Sequence, residues 1–173
     1  MILQLQNLVF CKESEYIMNW IEFKNIFEDA ELVGDKIVVK SNLAQTVEFI
    51  KNNYHFELLK EIVAVDNKDE GIELIYRLYS LENEEDVLVS ISVKDTAESV
   101  SKIFDSAVAD EKEIYDLFGV KFLGNEELKR LYMPDSWEGH PLKKDYVEKD
   151  EKLDKVVKKK IKQKKLFFLV CSE

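Results

Sequence analysis

The sequence predicts an α+β domain of two layers, a mixed or antiparallel sheet with helices on one face, followed by an extended irregular segment. Two neighbouring runs alternate with the period of strands. Ile72, Leu74, Tyr76 and Leu78 share one face opposite Glu73 and Arg77, and Val87, Val89, Ile91 and Val93 oppose Ser90, Ser92 and Lys94. Runs such as Leu43, Val47, Ile50 and Tyr54 instead recur at helical spacing. Only five Gly and two Pro in 173 residues imply long elements joined by short connections.

The elements follow in order. Residues 1–10 are apolar without clean alternation and receive no assignment. Ile17, Trp20, Ile21, Lys24 and Phe27 predict a helix over Tyr16–Phe27, with the Lys24 stem filling its face. Gly34-Asp35 reads as a turn into a strand at Ile37–Val39. Ser41 or Asn42 is the expected N-cap of the helix that carries Leu43 to Tyr54. Ile62–Val65 reads as a strand ended by the polar turn Asp66 to Gly71, and the sequence LENEED joins the two alternating runs as a hairpin. Asp95 is expected to cap a helix bearing Val100, Ile103, Phe104 and Ala107. Asp110 and Glu113 have capping-box spacing for a second, short helix with Ile114, Leu117 and Phe118, and Gly119 stands at its C′ position. The order β-α-β-β-β-α gives a sheet covered by helices.

From Val120 to Tyr146 no periodicity is sustained, and Pro134, Gly139 and Pro141 interrupt the backbone. Phe122, Leu131, Tyr132, Met133, Trp137 and Tyr146 make this stretch apolar all the same. Such a segment is expected to lie flat on its own domain or on a partner. Residues 1–146 are therefore read as a single domain, and 147–173 as a charged, lysine-rich extension with a helix and a short terminal strand around Leu166–Val170.

Charge is uneven. Residues 1–150 carry 17 Lys+Arg against 32 Asp+Glu, while residues 151–173 carry 8 against 3. The net charge of −10 argues against a nucleic-acid partner. The basic tail, with Leu153, Val156, Val157 and Ile161 interleaved, leaves open an acidic adaptor that binds anionic lipid, beside the simpler reading of a solubilising surface. Cys11 and Cys171 form no metal-binding or disulfide pattern and suit a reducing compartment. No stretch reaches the ~20 apolar residues of a membrane span and no signal-peptide pattern opens the chain.

Chemistry-bearing constellations are missing. His55 and His140 lie far from each other and from any cysteine, so a three- or four-ligand metal site is not expected. Neither a dinucleotide fingerprint nor a phosphate loop is present. No nucleophile is paired with a base, and the many carboxylates read as solvated surface. An independent enzyme is thereby disfavoured.

Two blocks carry a resemblance. Asp110-Glu-Lys-Glu-Ile-Tyr-Asp-Leu-Phe-Gly-Val-Lys-Phe122 and Trp137-Glu-Gly-His-Pro-Leu-Lys-Lys-Asp-Tyr146 resemble the signature of the C subunit of respiratory complex I. The corresponding subunit of membrane-bound energy-converting [NiFe] hydrogenases and formate hydrogenlyases shares that signature. Lys112 and Lys143 stand where the family pattern has Arg. The middle block departs further, since Gly124–Arg130 lacks the His-Pro and keeps only the basic pair Lys129 and Arg130. The resemblance covers about residues 40–146.

It implies a non-catalytic structural or assembly subunit in the peripheral arm of a complex-I-like NADH–quinone oxidoreductase, on the cytoplasmic face of the cell membrane. The hydrogenase setting is the alternative. It further implies docking on the large quinone-site subunit beside a small iron–sulfur subunit, with membrane association only through the complex. No cofactor is expected in this chain; FMN, iron–sulfur clusters and quinone, or a NiFe centre, belong to the partners. The implied signature and interface residues are Glu111, Glu113, Asp116, Leu117, Phe118, Gly119, Lys129, Arg130, Gly139, His140, Pro141, Leu142, Lys143, Lys144, Asp145 and Tyr146. Glu113 is expected to cap its helix and Asp116 to pair with a base from the second block. Phe118 and Gly119 are expected to serve internal architecture. His140-Pro141 would form a turn that presents Lys143, Lys144 and Asp145 to the partner.

Overall fold

In the computed structural model, residues 20–147 are described. The first ten residues, Ile17, both cysteines, and the helix and strand expected past Asp150 lie outside that range. Alternation in the two central runs becomes a hairpin: β4 (Ile72–Ser80) and β5 (Glu85–Val93) pair antiparallel with Tyr76 opposite Val89. Around it a five-stranded mixed sheet forms in the order β1-β2-β5-β4-β3, with β1 (Glu31–Val33), β2 (Lys36–Val39) and β3 (Leu58–Asp66). The β2–β5 pair is parallel and the others antiparallel.

One sheet face supplies the core. Ile37, Val39, Ile62, Leu74, Tyr76, Leu78 and Val89 are buried there, with Leu43, Val47 and Ile50 of α2 (Leu43–Tyr54) and Ile114 of α3 (Ala107–Phe118) in the same cluster. Phe23 and Phe27 of and beside α1 (Trp20–Ile26) stack with Phe49, ring centroids 4.9 to 6.2 Å apart. The opposite face bears cross-strand ion pairs, Lys36–Glu73 (2.6 Å) and Arg77–Asp86 (2.7 Å). Being partly solvated, such pairs set register more than they add stability.

The α+β class and the faces of the hairpin are as the sequence predicts. Four local expectations are corrected. β1, which turns back onto β2 through Gly34, has no alternation to mark it in the sequence. Neither Ser41 nor Asn42 caps α2 through its side chain: Asn42 is left-handed (φ 54), and Glu98 Oε2, from another strand, accepts the Ala44 N–H at 3.3 Å instead. Asp95 starts no helix. It leads into β6 (Thr96–Glu98), which pairs parallel with β7 (Lys121–Leu123) in a second, two-stranded sheet. Val100, Ile103 and Phe104 lie in a single turn closed by bonds to the Val100 carbonyl, so their helical spacing is real but short. Finally, the next helix begins at Ala107, where Ala-Val-Ala continues it upstream of the expected Asp110 start.

Candidate docking site at the end of helix α3

Asp110 and Glu113 sit inside α3 and cap nothing. Asp110 Oδ2 instead accepts the Ile62 N–H on β3 at 2.9 Å, and Glu113, exposed, accepts the Tyr132 hydroxyl at 3.2 Å. Burial, the nearness of Glu113 and Glu61 and only one compensating amide push the Asp110 carboxyl up. The capping-box expectation fails because spacing cannot tell a helix start from a later turn whose carboxylates reach other elements.

Glu111 and Asp116 are both fully buried (0 % exposed), and each ties a distant loop to α3. Glu111 accepts from the Val100 N–H, the Ser99 hydroxyl and the Asn125 amide, each at 2.8 Å. It therefore joins the chain just past β6 to the chain just past β7. Burial raises its carboxyl above the ordinary range, and those three donors only partly offset this.

Asp116 faces the other way. Its Oδ2 accepts three successive backbone N–H groups, from Leu131 (3.1 Å), Tyr132 (2.7 Å) and Met133 (2.8 Å), while Oδ1 accepts from Arg130 (2.7 Å). Burial alone would raise this carboxyl; the amides and the guanidinium outweigh it and hold it below the usual carboxylate range. Arg130 also donates to the carbonyls of Trp137 (3.0 Å) and Gly139 (3.2 Å). The basic pair thus divides: Arg130 is built into this network and Lys129 is exposed.

The last carbonyls of α3 find partners in the same segment. Gly119 (φ 82) donates to the Tyr115 carbonyl at 3.0 Å, closing the left-handed cap. The Asp116 carbonyl lies 2.9 Å from His140 Nδ1, and since a carbonyl only accepts, that nitrogen carries the proton. Leu142 donates its N–H to the Leu117 carbonyl at 3.0 Å. A helix end normally leaves such groups to water; here residues 139–142 cover them.

Beyond the turn closed by Lys143 N–H on the His140 carbonyl (3.2 Å), the Lys144 N–H donates to Asp66 Oδ2 at 2.7 Å. With the Lys68 N–H also donating, the Asp66 carboxyl is held low, the Lys144 amide being the larger cause. Lys143, Lys144 and Asp145 line a cleft of about 650 Å³ with Asp66, Lys68 and Lys94. Phe118 packs against the core, and Tyr146 lies over Gly139, where an added Cβ would meet the ring at 2.9 Å. Leu131, Tyr132, Leu142 and Val147 remain exposed. Among the described residues there is no group of three or more His, Cys, Asp or Glu placed to hold a metal, and no helix long and apolar enough to cross a membrane.

The structure thus gathers Asp116, Gly119, Arg130, Gly139 and His140 into one network, pairs Leu117 with Leu142, and sends Glu111 to the opposite side of the helix. Sequence reasoning does not single out Ser99, Asn125 and Asp110 as partners in these contacts, and no local pattern marks them.

The pattern of the family described as "Respiratory-chain NADH dehydrogenase, 30 Kd subunit" matches residues 37–152. The chain belongs to that family. It is 33 % identical over 129 residues to the C subunit of the NADH-quinone oxidoreductase of Geotalea uraniireducens, covering 70 % of this chain and 79 % of that one. To the C subunit of the Moorella thermoacetica NADH-quinone oxidoreductase it is 32 % identical over 134 residues, 72 % and 90 % of the two chains. A third relative, the C/D subunit of the NADH-quinone oxidoreductase of Phocaeicola vulgatus, is 33 % identical over 103 residues, 57 % of this chain and 20 % of that longer one. The match to the family pattern spans β2 through the whole Asp116 network, so the elements that build the site are the ones this family member shares with its relatives.

Proposed function

We propose that this chain is the C-type subunit of a NADH–quinone oxidoreductase, binds no redox cofactor itself, and docks on the large quinone-site subunit through residues 131–147. The observation that carries this reading is the use made of Asp116 and the α3 carbonyls. A segment with no regular structure is held by seven named hydrogen bonds, from Leu131, Tyr132, Met133, Arg130 (Nη1 to Asp116 Oδ1), His140, Leu142 and Lys144. That much anchoring still leaves Leu131, Tyr132 and Leu142 in solvent. Preorganised apolar side chains on a rigid loop are what an interface uses to limit the ordering cost of association. The relative whose name joins C to D in one polypeptide supports a D-type partner. Association with the membrane and its cytoplasmic face then follows from the complex.

The test is an affinity pull-down of the tagged protein from its native membranes, comparing wild type with Leu142→Asp and with Lys143→Glu/Lys144→Glu. Recovery of a large redox subunit by wild type, and its loss with Leu142→Asp, is expected. Equal recovery by all three proteins overturns docking through this segment. A partner that co-purifies with bound nickel would move the complex to the hydrogenase class.

A further inference from the structure

β3 stands at the end of the five-strand order, and among the described residues it is paired on one side only, with β4. The Ile62 N–H, bonded to Asp110 Oδ2, points away from β4. Backbone groups alternate sides along a strand, so Ala64 and Asp66 direct their N–H and C=O groups the same way. The start of this edge is covered from α3 and the turn before it: the Ser106 hydroxyl donates to the Leu59 carbonyl (3.2 Å) and Asp110 takes the Ile62 amide. From the Ile62 carbonyl through the Ala64 groups to the Asp66 amide, no side chain or loop of the described residues caps the edge. An open edge of this kind is a template for another strand.

We propose that this edge receives a sixth strand, an extended segment of about four residues contributed by the partner subunit that docks at residues 131–147. The chemistry of that segment follows from what borders the edge. Val63 and Val65, beside it on the uncovered sheet face, are 42 % and 38 % exposed, so the segment presents β-branched or aromatic side chains to them. Asp110 and Glu113 stand at the Ile62 end, and Lys143 and Lys144 at the Asp66 end, where the Lys144 amide is bonded to Asp66. The incoming strand therefore carries Lys or Arg at one end and Asp or Glu at the other. Continuity favours the same partner, because Leu142, bonded to Leu117, and Lys144, bonded to Asp66, join the docking segment to this edge. The inference rests on the docking reading given above.

Site-resolved hydrogen exchange at Ala64 and Asp66, measured on the isolated full chain and on the intact complex, tests it. Exchange at both amides is expected to slow by at least about tenfold on assembly, the signature of a new backbone hydrogen bond. Exchange that is equally fast in both forms overturns the proposal; if the large partner is recovered nonetheless, the docking reading stands. Exchange already slow in the isolated monomer assigns the edge to the chain's own terminal residues, and slowing that follows dimerisation assigns it to a second copy; either overturns a partner strand. If no redox partner is recovered at all, both readings fall. A second variant, Ala64→Pro, removes an N–H that the sheet does not use. It is expected to lower recovery of the complex several-fold with the isolated chain still folded by circular dichroism. Recovery equal to wild type overturns the proposal, and if the variant misfolds the exchange measurement decides.

Discussion

His140 occupies the space that a side chain on Gly119 would need. A Cβ built on Gly119 lies 2.6 Å from the imidazole Cδ2 and 2.8 Å from Nε2, while the same ring holds the Asp116 carbonyl through Nδ1. Gly119 is required twice over, by its φ of 82 and by the ring seated against it. Gly119→Ala is expected to cost more than about 1 kcal/mol, beyond the ordinary left-handed penalty. Urea denaturation checks this; a loss within a few tenths of a kcal/mol would mean that His140 is not seated there.

Asp116 is the group on which the docking segment depends. Asp116→Ala would strand three amides and leave Arg130 without its carboxylate, for an expected loss of about 3 to 5 kcal/mol. Because the folded carboxyl titrates below its unfolded value, its stabilisation is complete above the ordinary carboxylate range and disappears as pH falls through the lowered folded value. The advantage of wild type over Asp116→Asn should therefore shrink on acidification. Urea midpoints between about pH 7 and about pH 3 measure it, and a constant gap would be contrary.

Glu111 has the opposite sign. Its folded carboxyl is raised, so the stability it contributes is present below the unfolded value and is lost as pH rises through the folded one. The difference between wild type and Glu111→Gln should move against wild type as pH rises above the usual carboxylate range. Melting temperatures of the two proteins across that window give the answer, and a gap that widens in favour of wild type would contradict it.

The Tyr76 hydroxyl is buried under the helices with no hydrogen-bond partner among the described residues, and burial pushes the phenol far up. An unsatisfied buried hydroxyl is unfavourable by about 1 to 3 kcal/mol. Tyr76→Phe, which keeps the ring, is expected to be neutral or stabilising by up to about 1 kcal/mol. A clear loss in thermal or urea unfolding would point to a bound water serving that oxygen.

Tyr132 and Leu142 are exposed in the free chain. Tyr132→Ala and Leu142→Asp are expected to change its stability by no more than about 0.5 kcal/mol while lowering recovery of the assembled complex. Equal losses in folding and in recovery would instead make them part of the domain itself.

The sequence by itself determined the parts whose signal is local. Alternation in Ile72–Leu78 and Val87–Val93 specified the hairpin and its buried face, because a strand's side chains repeat every two residues whatever surrounds them. Helical spacing placed Leu43–Tyr54, and Gly119 marked a helix end because an unstrained left-handed residue is almost always glycine. The two blocks around Asp116 and His140 carried the family. Tertiary structure alone decided what those residues touch. Asp110 and Glu113 have capping spacing, yet one reaches β3 and the other Tyr132. Thr96–Glu98 is a strand only because Lys121–Leu123 lies beside it, and Asp66 meets Lys144 across 78 positions. Buried carboxylates such as Glu111 and Asp116 are stabilised by donors that folding brings from remote loops, and a carboxylate's burial leaves no periodic trace in the chain.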